Sequence, residues 1–111
     1  MEGKTLREVC DLVGVTRRAV QGYEKVGLVI PVGKNKYGYL LYDDEAIEKI
    51  RMIKQYQDFG FTVKQIKVLL QIPIEEAVAM LERQLILMQE KLKELEANIK
   101  RMEQLLVEKR Q

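Results

Sequence analysis

Two patterns of apolar residues divide the chain. From Pro73 to Gln111 the apolar positions are Ile74, Val78, Leu81, Leu85, Met88, Leu92, Leu95, Ile99, Met102 and Leu106, an unbroken alternation of four- and three-residue steps. That spacing is the seam of a coiled coil, with Val78, Leu85, Leu92, Ile99 and Leu106 at a and Ile74, Leu81, Met88, Leu95 and Met102 at d. At ~1.5 Å per residue such a helix is roughly 50 Å long, and it cannot bury its own seam. The expected partner is a second copy of the same helix; the competing arrangement is a return onto its own domain. Ile86 and Leu87 exceed what a seam needs and are expected to pack on a domain formed by the preceding segment.

Before Pro73 the repeats are short and broken by helix starts and stops. Each of the three threonines stands where a helix should begin. Thr5 is followed three residues on by Glu8, and Thr62 by Gln65, both capping boxes, while Thr16 opens Arg17-Arg18-Ala19-Val20. Helix one is predicted over Leu6–Val13, with Leu6, Val9, Cys10 and Val13 on one face and Gly14 as its stop. Helix two runs from Arg17 to about Glu24 or Lys25. A gap of only Gly14, Val15 and Thr16 between them is a helix-turn-helix spacing.

Beyond Gly27 the pattern becomes β-like. Leu28-Val29-Ile30 and Tyr39-Leu40-Leu41-Tyr42 flank a basic, turn-rich connector, which predicts a hairpin wing. Asp43 or Asp44 should then cap a helix ending near Gly60, with Phe59 and Phe61 plugging the core, and a further helix should follow over Val63–Leu70. The expected fold is mainly α: a winged helix-turn-helix with a small β-hairpin wing over residues 1–72, and a long C-terminal coiled-coil dimerisation helix over 73–111.

Charge sharpens the division. The net charge of +2 hides twelve Lys/Arg against nine Asp/Glu in residues 1–72 and seven against eight thereafter. The basic excess is densest from Arg17 to Lys36, where Arg17, Arg18, Lys25, Lys34 and Lys36 face only Glu24. A helix-turn-helix with a basic hairpin suits duplex DNA, because a helix fits the major groove and cations on a wing meet phosphates. The candidate DNA-contacting residues are Thr16, Arg17, Arg18, Gln21, Tyr23, Lys34, Lys36, Tyr37 and Tyr39. An ordinary solvated basic surface is the plainer alternative.

The inventory removes most chemistry. With no histidine, no serine and one cysteine, Cys10, the chain has no Ser/His or Cys/His nucleophile arrangement and no Cys/His metal cluster. No enzyme activity, metal site or cofactor is expected, and Cys10 should be a buried structural thiol. A lone cysteine, a charged N-terminus and no apolar run of membrane-spanning length point to a soluble cytoplasmic protein with no membrane partner.

The strings Lys4-Thr5-Leu6-Arg7-Glu8-Val9, Gly14-Val15-Thr16-Arg17-Arg18, Tyr23-Glu24-Lys25-Val26-Gly27-Leu28, Pro31, Gly38-Tyr39, Tyr42 and Phe59-Gly60-Phe61-Thr62 occur in order at a familiar spacing. Over essentially its whole length the chain resembles the MerR family of bacterial transcription regulators. The resemblance implies a winged helix-turn-helix, a further helix pair and a long antiparallel coiled-coil helix. It also implies a homodimer on double-stranded DNA that binds a palindromic promoter and bends and untwists its spacer, with RNA polymerase as a candidate partner.

Two positions depart from the family. Gln21-Gly22 stands where an Arg-Tyr pair is usual, and Gly38-Tyr39-Leu40 where Gly-Tyr-Arg is usual. Two cationic contacts per protomer are thereby absent, which implies a salt dependence shallower by about four charges per dimer, with Arg17, Arg18, Lys34 and Lys36 as replacements. Gly22, at ~1 kcal/mol below Ala in helix propensity, implies a close approach of backbone or DNA. The family's usual effector domain is not expected, and the cysteines of its metal sensors are absent. A coiled-coil interaction module with a degenerate winged helix is the alternative function.

Overall fold

The computed structural model describes residues 3–111. It has two compact units, the first ending at Leu70 and the second running Gln71–Gln111. The element order is β1 (Lys4–Thr5), α1 (Leu6–Val13), α2 (Arg17–Lys25), β2 (Gly33–Lys34), β3 (Leu40–Tyr42), α3 (Asp44–Asp58), α4 (Val63–Leu69) and α5 (Ile74–Arg110).

Capping sets where the short helices start. At α1 the Thr5 hydroxyl accepts from Glu8 N–H, and the Glu8 carboxylate in turn accepts from Thr5 N–H at 3.0 Å. That backbone bond, with a second from the Thr5 hydroxyl, holds the Glu8 carboxyl below its ordinary range. Thr62 and Gln65 build the same box at α4, and Asp43 caps α3 by accepting from Ala46 N–H at 2.9 Å. The turn between α1 and α2 passes through Gly14 at φ 79°, a left-handed conformation that glycine adopts without Cβ strain.

The sheet is small and antiparallel, in the order β1-β3-β2, with Lys4 opposite Tyr42 and Gly33 opposite Leu41. This corrects the expected wing. Its outer arm is Gly33–Lys34, and Leu28–Ile30 is not a strand. Val29 is buried beneath that loop while Ile30 lies 75% exposed, and Pro31 has no N–H to donate to a ladder. Pairing with β3 begins only beyond it, where Val32 N–H donates to Leu41 C=O at 2.8 Å. The two-residue β1 is too short to leave a periodic trace in sequence.

The core of the first unit gathers Val9 of α1, Val20 and Tyr23 of α2, Leu41 and Tyr42 of β3, Ile47, Ile50 and Ile53 of α3, Phe61, and Ile66 and Leu69 of α4. Tyr56 meets Phe59 and Phe61 with ring centroids 6.2 Å apart in each case, which closes the α3–α4 corner. Cys10 is half-buried rather than fully buried, and the burial it has pushes its thiol pKa up. The second unit is built on the 37-residue α5, which has no buried residue. No helix among the described residues is long and apolar enough to cross a membrane.

Candidate nucleic-acid interface

The candidate surface consists of α2 and the β2–β3 wing, both parts of the first unit. Thr16 caps α2, its hydroxyl accepting from Ala19 N–H at 3.1 Å, so that Arg17 and Arg18 occupy the first turn. Thr16, Arg17, Arg18 and Gln21 are all exposed, on the side of α2 opposite buried Val20 and Tyr23. The amphipathic period therefore turns the polar donors outward as it buries the apolar stripe.

Tyr23 is a correction. Its hydroxyl is not offered to a partner, because the residue is 1% exposed and donates to Gln57 Oε1 of α3 at 2.6 Å. Burial also raises its pKa. Its neighbour Glu24 accepts from the Tyr42 hydroxyl of β3; burial and that hydrogen bond raise the Tyr42 pKa. The Tyr-Glu pair thus serves the site indirectly. Tyr23 ties α2 to α3, Glu24 ties α2 to the base of the wing, and together they fix how the exposed face of α2 is presented.

The wing tip is organised by Asn35, which sequence reasoning passed over. Its side-chain Oδ1 accepts from Tyr37 N–H at 2.9 Å and Tyr39 N–H at 3.1 Å, its own N–H donates to Tyr39 C=O, and Gly38 N–H donates to Asn35 C=O. Gly38 supplies the positive φ of 85° that this turn requires. An asparagine opening a glycine-containing turn is the sequence signal that marks such a tip. The result lifts Tyr37 and Tyr39 into solvent at 72% and 63% exposure, with the Lys36 ammonium 5.1 Å from the Tyr37 ring centroid. Lys34 and Lys36 are exposed as well.

Helix and wing meet at a cleft of about 530 Å³ lined by Arg7, Arg17, Gly38, Tyr39 and Leu40, with Thr5 and Leu6 behind. It brings Arg17 and Tyr39 of the expected set together and adds Arg7, which lies outside that set. Gly22, where a close approach is expected, has open space: no atom beyond its own helical turn lies within 4 Å of a Cβ placed there. The expected seam residues of α5 are all in place on one helix. Nine are 40–74% exposed and Leu81 is half-buried; Ile86 and Leu87 are also exposed, at 53% and 49%. No group of three or more His, Cys, Asp or Glu side chains among the described residues is arranged to hold a metal ion.

Two family models match the chain, one described as MerR HTH family regulatory protein over residues 4–72 and one described as MerR, DNA binding, over residues 47–111. The mercuric resistance operon regulatory protein of Bacillus cereus is 32% identical over 63 residues, covering 57% of this chain and 48% of that protein. Among solved structures, HiNmlR, a MerR family regulator lacking the sensor domain and bound to promoter DNA, aligns with a TM-score of 0.71 at 21% identity. That alignment covers 88% of this chain and 79% of HiNmlR. EcmrR, in the EcmrR-DNA complex of EcmrR-RPo, aligns with a TM-score of 0.73 at 24% identity over 96% of this chain and 40% of its own. The chain spans about half or less of the length of the relatives it matches first.

Proposed function

We propose that this chain, which belongs to the MerR family of helix-turn-helix regulatory proteins, acts as a homodimeric transcription regulator that binds and distorts a palindromic promoter operator. The observation that carries this reading is the placement of two exposed donor surfaces on one small core. These are Thr16, Arg17, Arg18 and Gln21 on α2, and Lys34, Lys36, Tyr37 and Tyr39 on the wing. In this reading α2 enters the major groove, where Arg17 or Arg18 reads a base edge, while the wing lysines and tyrosines hold phosphates. The open seam from Ile74 to Leu106 pairs with that of a second copy. The dimer works in the cytoplasm, with duplex DNA and RNA polymerase as its partners. Its relatives are transcription regulators, and nothing in the site's chemistry calls for catalysis.

A rigid dimer helix fixes the separation of the two recognition helices. The operator must therefore carry half-sites at that spacing or deform until it does. Bending a site of 20–30 base pairs costs on the order of 1–6 kcal/mol, which extra phosphate contacts from two wings offset. The alternative, a degenerate winged helix that binds protein, draws on Gly22 and Leu40. Neither builds an apolar docking face, since Gly22 adds no side chain and Leu40 lines a cleft with two arginines.

The test is to select an operator from random duplexes and run circularly permuted fragments carrying it. A bent complex, with loss of base preference worth ~1–3 kcal/mol in Arg17→Ala or Arg18→Ala, is expected. A complex migrating like straight DNA would leave a conventional roadblock repressor, and equal losses on operator and random duplex for both arginines would remove the base-reading role.

A further inference from the structure

We infer that Arg7 and Arg17 clamp one backbone phosphodiester of duplex DNA between them in the cleft beside the wing. The inference rests on the DNA-binding reading and adds to it a contact residue, Arg7, and a specific site. Several observations converge on it. The cleft, about 530 Å³, opens between the start of α1, the start of α2 and the wing, so two arginines from different helices line one space. Arg7 and Arg17 are both exposed, and neither has a carboxylate partner: the ion pairs among the described residues are Arg51–Glu48 and Lys54–Asp58.

Among the described residues the nearby acids make no ion pair with either arginine. Glu8 is held by the Thr5 N–H and hydroxyl at 3.0 and 3.1 Å, and Asp11, one turn on from Arg7, makes no ion pair with it among the described residues. Two like charges lining a common space repel until an anion enters, and a phosphodiester can accept from both guanidinium forks at once.

The walls favour a nucleic-acid phosphate over a free one. Tyr39 is 63% exposed and brings a hydroxyl donor. Leu40 brings an apolar wall without charge, suited to the face of a deoxyribose. Gly38 has no side chain to obstruct entry, and the volume exceeds what inorganic phosphate fills. The cleft also lies beside α2 and the wing tip, so a strand contacted by both passes its mouth.

The experiment compares the wild type, Arg7→Ala, Arg17→Ala, the double variant and Arg7→Lys, measuring operator affinity across a fourfold range of salt. A dimer that clamps one phosphate per protomer should lose about 1.8 from its logarithmic salt slope when the clamp is broken. The wild type should then lose about tenfold more affinity over that range than Arg7→Ala does. Because the two arginines share one phosphate, the double variant should show nearly the same slope as either single variant, and Arg7→Lys should keep most of the wild-type slope. Both arginines are exposed, and thermal melts should be unchanged.

Three results would overturn the clamp. One is a wild-type slope in Arg7→Ala. The second is a double-variant loss near twice that of the singles, which assigns the arginines to separate phosphates. The third is saturable binding of inorganic phosphate that Arg7→Ala abolishes without changing the DNA slope, which makes the cleft a free-anion site. A wild type that binds no duplex at all would instead remove the DNA-binding reading itself, and the clamp with it.

Discussion

The first unit and α5 use apolar residues to opposite ends. Among the described residues up to Leu70, helices of seven to fifteen residues fold back on one another, and thirteen apolar side chains are buried, from Val9 to Leu69. The 37 residues of α5 bury none. The difference lies less in hydrophobicity than in punctuation. Threonine or aspartate caps start each short helix, and left-handed glycines follow α1, α2 and α3, so that each apolar stripe meets another stripe of the same chain. Between Ile74 and Arg110 there is no glycine, proline, serine or threonine, and a seven-residue repeat runs on until it forms a stripe longer than a domain this size covers. One region covers its apolar side chains within the chain; the other leaves its apolar stripe exposed, the surface that the proposed dimer would cover with a second copy.

The largest expected effect breaks the second half of that comparison. Leu92 sits at the middle a position of the seam, and Leu92→Glu would place an unpaired carboxylate from each copy in the proposed interface, a penalty of several kcal/mol per charge. Sedimentation should show the wild type as a dimer at micromolar concentration and Leu92→Glu as monomer. A monomeric wild type would leave α5 without the role proposed for it.

The next effect tests the first half. Ile53 of α3 is fully buried, and Ile53→Ala should destabilise the first unit by about 2–5 kcal/mol. All five tyrosines lie before Pro73, so tyrosine absorbance during urea unfolding reports on that unit alone. Ile53→Ala should lower the tyrosine-detected midpoint and leave the oligomeric state at low urea unchanged. Loss of dimer in step with the domain would show the two regions to be one cooperative structure.

What was legible in the sequence follows the same division. The three threonine caps and the four short helices are local patterns, with causes within a few residues of their effects, and the structure carries each of them; it also sets the positions of the expected seam along one continuous helix. The failures are non-local. Tyr23 lies among polar neighbours on a helix expected to face outward, and only the fold brings Gln57, 34 residues on, against its hydroxyl. Leu28–Ile30 has β-type composition, but strand pairing depends on where β3 lies and on the missing N–H of Pro31. Arg7 reads as one more cation on a helix until α1, α2 and the wing converge around it.

A smaller effect sharpens how the first unit holds its exposed face. The Tyr42 hydroxyl donates to Glu24 from a fully buried ring, and Tyr42→Phe should cost about 1.5–3 kcal/mol, the range for a hydrogen bond to a charged group. Tyr23→Phe, which removes a neutral bond to Gln57, should cost about 0.5–1.5 kcal/mol. The pH dependence has a definite sign. Burial and the Glu24 bond raise the Tyr42 pKa, so the folded state favours the protonated phenol. Its contribution is complete below the ordinary tyrosine pKa of about 10 and is lost as pH rises through the higher folded-state value. The gap between wild type and Tyr42→Phe should therefore be constant from neutral pH to about 10 and shrink above it. A gap that already closes between pH 7 and 9 would assign the effect to some other group.

The smallest effect concerns the one position in α2 where local preference and structure disagree. Gly22 is the sixth residue of a nine-residue helix, where glycine costs ~1 kcal/mol relative to alanine. Its negative φ requires no glycine, and nothing beyond its own turn lies within 4 Å of the position a methyl group would take. The folded chain alone thus gives no reason for it, and Gly22→Ala should stabilise the first unit by about 0.5–1 kcal/mol. What remains to account for the glycine is a surface outside the chain. If the DNA backbone reaches α2 at this point, the added methyl group should weaken operator binding although the protein is more stable, so the two quantities move in opposite directions. Urea midpoints and operator affinity measured on the same Gly22→Ala preparation decide it. Higher stability with unchanged affinity would show that Gly22 lies off the DNA path, and that the readout face of α2 ends at Gln21.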